Sequence, residues 1–481
     1  MRTVRIINCL HFRLHILSST LEAARPRASL LVPLTIASAF FMEGLDSTII
    51  STCLPQIAAA FGVHISAVSS AITTYLVSIA VFLPLSGWLA DRLEARRVYC
   101  AAIAVFAAGS VVCGFSTDAT LLVAGRAIQG LGGALMAPVG RLILVRTFPR
   151  GELVHAMSFM IIPGLVGPML GPVVGGFIAT YAEWRWIFFI NVPLAAIAIL
   201  LALINVQRLP AATPAPFDFR GFVLAAVTFA SLQASLSVVS AAPRSPAAAA
   251  LLATALLSGA LYVLHARGQS APVIRLSMFR HRVFRIAMVG GSLARIGIAV
   301  PAFLVPILLQ EAFGYSAFHA GVLMVAQAVG QIVLRFFIKP IYRHVSLRAL
   351  LLANAALLVL MLAGFAAFSN RLSDVLLFVY LFLFGGLQSI MLSTLAALCF
   401  SGIPADAAGQ ATTISSVAQR FSLALGIALC AFALQCLRPD GLLRAADFIV
   451  PFIGMAVLQS LSMLSFRAMQ PGDGADIAAR R

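Results

Sequence analysis

Predominantly apolar segments of about 20 residues or more recur along almost the whole chain, and short basic loops separate them. A helix needs about 20 such residues to cross the hydrocarbon core of a bilayer, where only helices and closed barrels satisfy their backbone hydrogen bonds. The pattern predicts fourteen spans, near residues 30–53, 66–90, 97–117, 119–146, 153–181, 185–206, 218–240, 246–266, 284–311, 318–341, 347–368, 372–401, 408–436 and 446–467. We therefore expect an all-α polytopic membrane protein.

The composition excludes several other classes of protein. Apolar residues make up 61% of the chain and charged residues 10%, and the mean hydropathy is +1.01. Soluble domains contain about 25% charged residues, so a soluble enzyme is not expected. The seven cysteines form no CxxC pair and lie mostly in apolar runs, which favours buried free thiols over metal sites. We expect no cofactor and no metal.

Basic residues are distributed unevenly between alternate loops. With the N-terminus placed in the cytoplasm, that side holds 23 of the 33 Lys and Arg residues, the opposite side holds five, and the spans hold five. Cytoplasmic loops are enriched in Lys and Arg, so the bias predicts an even span count with both termini cytoplasmic. Because the charges are spread over many loops, a nucleic-acid partner is not expected.

The longest basic loop, 267–285, divides the predicted spans into two sets of six and a central pair. Two six-helix bundles are typical of transporters built from internal repeats. The predicted organisation is a cytoplasmic tail at 1–29, a first bundle at 30–206, a linker with two extra spans at 207–283, a second bundle at 284–468 and a cytoplasmic tail at 469–481.

Two acidic residues lie well inside a predicted span. Glu43 and Asp46 are three positions apart and therefore share a helix face. Ionisable groups inside a bilayer are costly and usually functional, and a carboxylate that exchanges a proton there can couple proton flow to transport. The alternative is a static pair neutralised by an arginine. Arg126 in the fourth span reaches a similar depth at about 1.5 Å per residue, so an ion pair is sterically possible.

Other polar residues in the spans are candidates for the substrate cavity. Arg141 and Arg335 lie near inner span ends, where long side chains can reach the interface. Arg295 and Arg420 lie deeper, so we expect them to face the cavity and to hold an anionic group or form a gate. Gln129 is a third candidate for the cavity wall.

Glycine and mixed-charge motifs occur at two further places. Gly167, Gly171 and Gly175 form one smooth helix face, which serves either for close packing or as a pliable seam between two bundles. The loop that contains Gly87, Asp91 and Arg92 is either a solvated turn or a breakable latch. In the latch, Asp91 would pair with an arginine across a bundle interface.

An ordered set of motifs resembles the fourteen-span drug/proton antiporter branch of the major facilitator superfamily. Residues 87–97 are similar to its motif A, Leu122–Gly132 to motif B, and Gly167–Gly176 to motif C, the antiporter signature; Leu45–Pro55 and Trp184–Pro193 are similar to two further signatures. With His265–Arg267 and Phe318–Gly321 added, the chain resembles enterobacterial multidrug exporters of the D type.

The resemblance implies a major facilitator fold, no cofactor and proton-driven export by alternating access in the inner membrane. It also implies roles for site residues. Asp91, Arg92 and Gly87 would form a cytoplasmic latch, and Arg126 would take part in proton coupling beside Asp46 and Glu43. Gly171 and Pro172 would set the direction of transport, within a motif that also contains Gly167, Gly175 and Gly176. Glu94 stands where motif A has glycine, and Ala95 where it has a basic residue.

Two functions from the same class remain open at the level of sequence. The first is proton-coupled export of small amphipathic molecules or drugs. The second is export of a single metabolite such as an amino acid, a sugar derivative or a siderophore. An enzyme is not expected because the sequence contains no catalytic constellation. A primary pump is not expected because the sequence contains no GxxxxGK[ST] phosphate-binding loop. The expected partners are a small-molecule substrate, protons and the lipid bilayer, with a functional monomer.

Overall fold

A computed structural model describes residues 31–148, 150–208, 217–241, 245–269, 272–368, 372–401, 403, 408–437, 443–470 and 473. Over these residues the chain forms helices and no strand. The main helices are α1 Leu31–Ile49, α2 Ile65–Phe82, α3 Ala95–Gly114, α4 Ala119–Thr147, α5 Arg150–Tyr181, α6 Asn191–Asn205, α7 Phe219–Ala241, α8 Pro246–Gly268, α9 Arg282–Ile307, α10 Ala317–Arg335, α11 Leu347–Gly364, α12 Asp374–Leu398, α13 Ala408–Leu437 and α14 Ile449–Ser460. The predicted tails lie wholly or largely outside the described residues.

Short helical segments extend or connect the main helices. Longer extensions are Leu54–Phe61, Leu85–Leu93, Trp186–Phe189, Ile338–His344 and Ser462–Arg467. Single tight turns occur at Ile50–Thr52, Leu276–Arg280, Phe365–Ala367 and Ala445–Phe448, with a wide π turn at Leu308–Ala312. These segments account for the difference between the predicted span ends and the observed helix ends.

Thirteen helices of the described chain are long and apolar enough to cross a membrane. The helix α1 is not among these thirteen, because Glu43 and Asp46 lower its mean hydropathy. It nevertheless packs lengthwise against α5 and α6 in the middle of the apolar helices. The structure thus shows thirteen candidate spans among the described residues where fourteen are predicted. The remaining predicted span corresponds to α1.

The helices form two bundles with two seams between them. In the first bundle α1 packs on α5 and α6, and α4 packs on α2 and α3; in the second, α10 packs on α12, and α9 packs on α13 and α14. The seams are the contacts of α5 with α10 and of α2 with α13. This is the predicted two-bundle fold, with α7 and α8 as the extra pair.

The extra helices form a hairpin on the outside of one seam. The helix α7 packs against both α2 and α13, whereas α8 packs mainly on α7. Gln233 of α7 donates to the Thr73 hydroxyl of α2 at 2.6 Å, and the ring centres of Phe229 and Phe421 of α13 lie 5.0 Å apart. The hairpin therefore lies outside the two bundles, and α7 anchors it to both of them.

The hydrogen bonds between the two bundles lie mainly toward one face. We call the face that carries the α2–α3 loop, with Arg92, Arg96 and Arg97, the basic face, and the opposite one the far face. At the far face Gln56 donates to Gln310 at 2.8 Å, and Ser66 donates to Gln435 at 2.6 Å. The two bundles are therefore joined at the far face by hydrogen bonds between uncharged side chains.

Candidate proton-coupling site and central cavity

A buried ion pair lies at the centre of the first bundle. Arg126 of α4 donates through Nη1 to Oδ2 of Asp46 at 2.6 Å, and neither side chain is exposed. The structure thus contains the Asp46–Arg126 ion pair that the similar depths of the two residues in their spans allowed. Removing one partner of a buried pair typically costs about 3–5 kcal/mol, so each charge depends strongly on the other.

Neutral groups surround the pair on three helices. Gln129, one turn along α4 from Arg126, accepts from Arg126 Nη1 at 2.9 Å and donates to Asp46 Oδ1 at 3.2 Å. Asn191 at the start of α6 donates to the same Oδ1 at 2.8 Å. Ser110 of α3 accepts from Gln129 Nε2 at 2.6 Å. The carboxylate therefore receives donors on both oxygens, as a buried carboxylate requires.

Glycines bring α3 close enough to α4 for Ser110 to reach Gln129. A Cβ atom at Gly109 would lie 2.5 Å from the backbone nitrogen of Gln129, and one at Gly132 would lie 2.6 Å from the backbone carbonyl oxygen of Ala102. Real Cβ atoms essentially never approach so closely. The side-chain network thus depends on backbone contact that only glycine permits.

The Arg126 guanidinium is covered by an aromatic ring. Its central carbon lies 4.3 Å from the Tyr75 ring centre, and Nε donates to the Ala71 carbonyl at 3.4 Å. Among the described residues its Nη2 has no hydrogen-bond partner. Water is excluded on this side, so the charge of Arg126 is balanced chiefly by Asp46.

A second ion pair crosses from one bundle to the other. Arg420 of α13 donates to Glu43 of α1 at 3.2 Å, with side chains 31% and 8% exposed. The pair borders a cavity of about 280 Å³ between α1, α2, α4 and α13. The lining includes Leu83 and Ser86 at the basic-face end of α2, so the cavity lies in the half of the bundles nearer the basic face.

The cavity residues differ in part from those expected from the sequence. Arg420 lines the cavity as predicted, and so does Arg141, which was expected to reach toward the interface instead. Gln129 is fully buried in the Asp46 network and Arg295 is 1% exposed, and neither lines this cavity. The rotation of each helix about its own axis decides which arginine reaches the cavity. Arg141 and Arg420 project between the bundles, whereas Arg295 does not.

Arg295 lies inside the second bundle instead. A Cβ atom added at Gly291 would lie 3.1 Å from the Arg295 Nη1, and the guanidinium contacts the Cys399 thiol. No carboxylate of the described residues lies within ion-pair distance of it. The prediction that Arg295 faces the cavity is therefore wrong for this conformation.

The predicted latch joins two helices of the same bundle. Asp91 accepts from Arg146 at the end of α4 at 2.5 Å, rather than from an arginine across the bundle interface. Arg92 stacks on Trp88 with 5.1 Å to the ring centre, and a Cβ at Gly87 would meet open space. Glu94 has a φ of 75°, the sole positive value among described residues other than glycine. Glycine in the family motif at this position suits that conformation.

The antiporter glycines form a packing face inside the first bundle. A Cβ at Gly167 would lie 2.5 Å from the Phe41 carbonyl of α1, and Gly171 and Gly175 approach α1 as closely. In contrast, Gly176 meets Ala317 of α10, and Pro172 meets Gly321. The smooth face thus fixes α1, which carries both carboxylates, whereas the neighbouring Pro172 and Gly176 contact α10 across the seam.

The fold and the placement of these groups define a class of protein, a two-bundle membrane transporter of small molecules. A model of the Major Facilitator Superfamily matches residues 36–427, and the chain belongs to this family. A protein of Pectobacterium atrosepticum named "Putative multidrug resistance protein MdtD" is 35% identical over 442 residues, covering 91% of this chain and 95% of that protein. The protein of the same name from Yersinia pestis is 33% identical, with 92% and 96% covered.

Solved structures show the same fold at low sequence identity. The D-xylose-proton symporter has a TM-score of 0.67 with 15% identity, covering 92% of this chain and 98% of that one. The POT family transporter PepTSo has a TM-score of 0.69 with 14% identity, covering 94% of this chain and 99% of that one. These similarities show the architecture alone.

Asn191, Ser110 and Gln310 were not predicted as functional residues. Asn191 lies in a stretch, Trp184–Pro193, that carried the family resemblance, yet a single amide in an apolar helix gave no reason to connect it with Asp46. A polar residue inside a span was the available signal. Its partner is 145 positions away in sequence and is identified only by the fold.

Proposed function

We propose that this chain is a proton-coupled exporter of small amphipathic molecules that works by alternating access in the bacterial inner membrane. The observation that carries the proposal is the Asp46–Arg126 pair, which is 2.6 Å long and fully buried at the centre of the first bundle. The positive-inside rule assigns the basic face and both termini to the cytoplasm. The cavity then opens toward the cytoplasm, and the far face is the closed outer gate.

Proton uptake by Asp46 is the coupling event in this proposal. A proton neutralises the carboxylate and leaves Arg126 as a buried cation without its counter-ion, which is unfavourable. The first bundle lowers this cost by moving to a conformation in which Arg126 finds another environment. Because α1 is held on α5 by the antiporter glycines, a change at Asp46 is transmitted to the seam at Pro172 and Gly176.

Glu43 and the latch have supporting roles in the same cycle. Glu43 holds Arg420 across the cavity at 3.2 Å, so substrate binding or protonation at Glu43 loosens one bundle from the other. Asp91, Arg92 and Gly87 lie at the cytoplasmic end of α2, where the Asp91–Arg146 pair fixes α2 to α4. The proposed units are residues 30–206 and 284–468, joined by 207–283, and a monomer contains every group named.

Proton release from everted membrane vesicles tests the proposal. An imposed pH gradient is challenged with lipophilic cations, neutral drugs and organic anions, in wild type and Asp46→Asn. We expect gradient collapse by several amphipathic compounds in wild type and none in the variant. Asp118→Asn is the matched control, because Asp118 is an exposed N-cap of α4 and asparagine caps equally well. Unchanged coupling in Asp46→Asn contradicts the proposal.

A specific observation favours the second candidate, a dedicated exporter of one acidic metabolite. Arg141 lines the cavity with an exposed side chain, and no described carboxylate lies within ion-pair distance of it. With Glu43 balancing Arg420, the cavity retains one positive charge. An Arg141→Gln variant that loses response to one organic anion, while lipophilic cations give none in wild type, supports this candidate. Responses to many cations support the multidrug exporter.

A further inference from the structure

The two oxygens of Asp46 are contacted by donors alone. Arg126 donates to Oδ2 at 2.6 Å, and Oδ1 receives Asn191 at 2.8 Å and Gln129 at 3.2 Å. An ionised carboxylate accepts such bonds, whereas a protonated one must also donate its O–H. A proton on Oδ2 would lie beside the guanidinium, so Oδ1 is the favoured oxygen. There it meets two N–H groups that both point at it.

The two amides differ in how firmly they are held. The Gln129 Oε1 accepts from Arg126 at 2.9 Å and from the Cys113 thiol at 3.5 Å, and its Nε2 also donates to Ser110 at 2.6 Å. Turning this amide over would break all of these contacts. The Asn191 Nδ2 donates to Asp46 alone, and its Oδ1 is buried without a hydrogen-bond partner among the described residues. Asn191 loses nothing else when it turns.

We infer that Asn191 is a positioning residue that reverses its side-chain amide when Asp46 takes up a proton. The NH₂ group donates to the carboxylate, and after half a turn about the Cβ–Cγ bond the carbonyl accepts from the O–H of the acid. The proton binds to Oδ1 of Asp46 and returns to water when it leaves. Each state leaves one end of the Asn191 amide unpaired, so the turn is nearly balanced in hydrogen bonds.

This inference rests on the proposed coupling role of Asp46. The charged or titratable groups that face the pair are Arg126 of α4, Tyr75 of α2, Cys113 of α3 and Glu43 on α1 itself. The helix α6 contributes the neutral Asn191. Of the two amides that donate to Asp46, Asn191 is the one whose acceptor has no hydrogen-bond partner among the described residues, so the reversal is assigned to Asn191.

Isotope-edited infrared spectroscopy tests the inference on the wild-type protein. The chain contains five asparagines, Asn8, Asn191, Asn205, Asn354 and Asn370, so ¹³C-labelled asparagine gives a simple amide spectrum. We expect one labelled C=O band to move to lower frequency on acidification, with the same midpoint as the carboxyl C=O band of Asp46. Both changes should be absent in Asp46→Asn. A labelled spectrum that does not change while Asp46 titrates overturns the inference.

Two variants add a functional readout. Asn191→Leu keeps the volume but removes the donor to the charged form, which is worth more than the acceptor for the neutral form. We expect the pH midpoint of transport to move about one unit alkaline, a tenfold change in proton affinity. Asn191→Gln, which keeps an amide donor, should return the pH midpoint most of the way to its wild-type value.

The matched control is Asn354→Leu in the second bundle. Asn354 is also buried, donates once, to the Leu387 carbonyl at 3.0 Å, and has an unpaired Oδ1. It should leave the pH midpoint unchanged. If Asp46→Asn abolishes coupling while Asn191→Leu titrates like wild type, the inference fails alone. If Asp46→Asn keeps wild-type coupling, the proposed function fails with it.

Discussion

Replacing Gly167 with alanine should displace α1, the helix that carries both carboxylates, from α5. The added Cβ would lie 2.5 Å from the Phe41 carbonyl oxygen and 2.9 Å from the Leu45 amide nitrogen, whereas ordinary contacts begin at 3.4 Å. Both neighbours are backbone atoms and cannot rotate away. The two helices must therefore separate by roughly 0.5–1 Å, a strain of the kind that overpacking a core produces.

The expected cost is about 1–3 kcal/mol, the range measured for added methyl groups in packed interiors. Asp46 lies just over one turn beyond Phe41 on α1, and its bond to Arg126 is 2.6 Å long. A displacement of roughly 0.5–1 Å therefore weakens the pair as well as the packing. We expect a lower Tm in detergent and proton-coupled exchange slower by about tenfold, which corresponds to about 1.4 kcal/mol.

Gly164→Ala is the control on the same helix. A Cβ there would meet Phe40 at 3.6 Å, an ordinary contact. Both substitutions gain the same helix propensity, about 1 kcal/mol, so the difference between them isolates the contact with α1. Thermal unfolding and exchange in reconstituted vesicles measure both effects. Equal Tm and equal exchange rates in the two variants would refute the reasoning.

Three further predictions concern residues outside this contact. Glu94→Gly should raise the free energy of unfolding by about 1–2 kcal/mol, because glycine adopts the φ of 75° without strain; Glu94→Ala, which keeps a Cβ, should not, and an equal gain in both would contradict the strain argument. Arg295→Met should raise Tm and leave transport unchanged, because the buried guanidinium lacks a carboxylate partner among described residues; a transport loss at unchanged Tm would return Arg295 to the substrate path. Burial raises the pKa of Asp218, but the His265 hydrogen bond and the Gly221 amide lower it more, so the pKa is below 3.8 in the folded protein. The resulting stabilisation is present above pH 3.8 and is lost as the pH falls below it. Asp218→Asn should therefore narrow the Tm difference between pH 6 and pH 3. An unchanged Tm difference would show that the hydrogen bonds of Asp218 to His265 and Gly221 are not the source of the pH dependence.

The helices themselves could be predicted from sequence because hydropathy is a local property. Each span after the first is a run of apolar residues that must form a helix in lipid, and thirteen of the fourteen meet a simple length and hydropathy rule. The first span is the informative exception, since its two carboxylates lower the hydropathy. Depth along a helix is also local, which is why the Asp46–Arg126 pair could be expected at about 1.5 Å per residue.

Helix rotation and helix neighbours could not be predicted in the same way. Arg141 and Arg295 have similar sequence surroundings, yet only Arg141 lines the cavity. Gln129 was assigned to the cavity and instead bonds to Asp46. A helix that is apolar on all sides carries little information about which face turns inward, so these directions depend on packing against other helices.

The sequence by itself determined that the chain crosses a membrane many times, that α1 carries two carboxylates inside a membrane span, and which family its motifs resemble. These follow from the cost of placing polar groups in lipid, which each segment pays alone. Only the tertiary structure decided that Asn191 reaches Asp46 from 145 positions away, and that the antiporter glycines pack on α1 rather than between the bundles. Such contacts join segments distant in sequence, and close backbone approach, not local pattern, selects them.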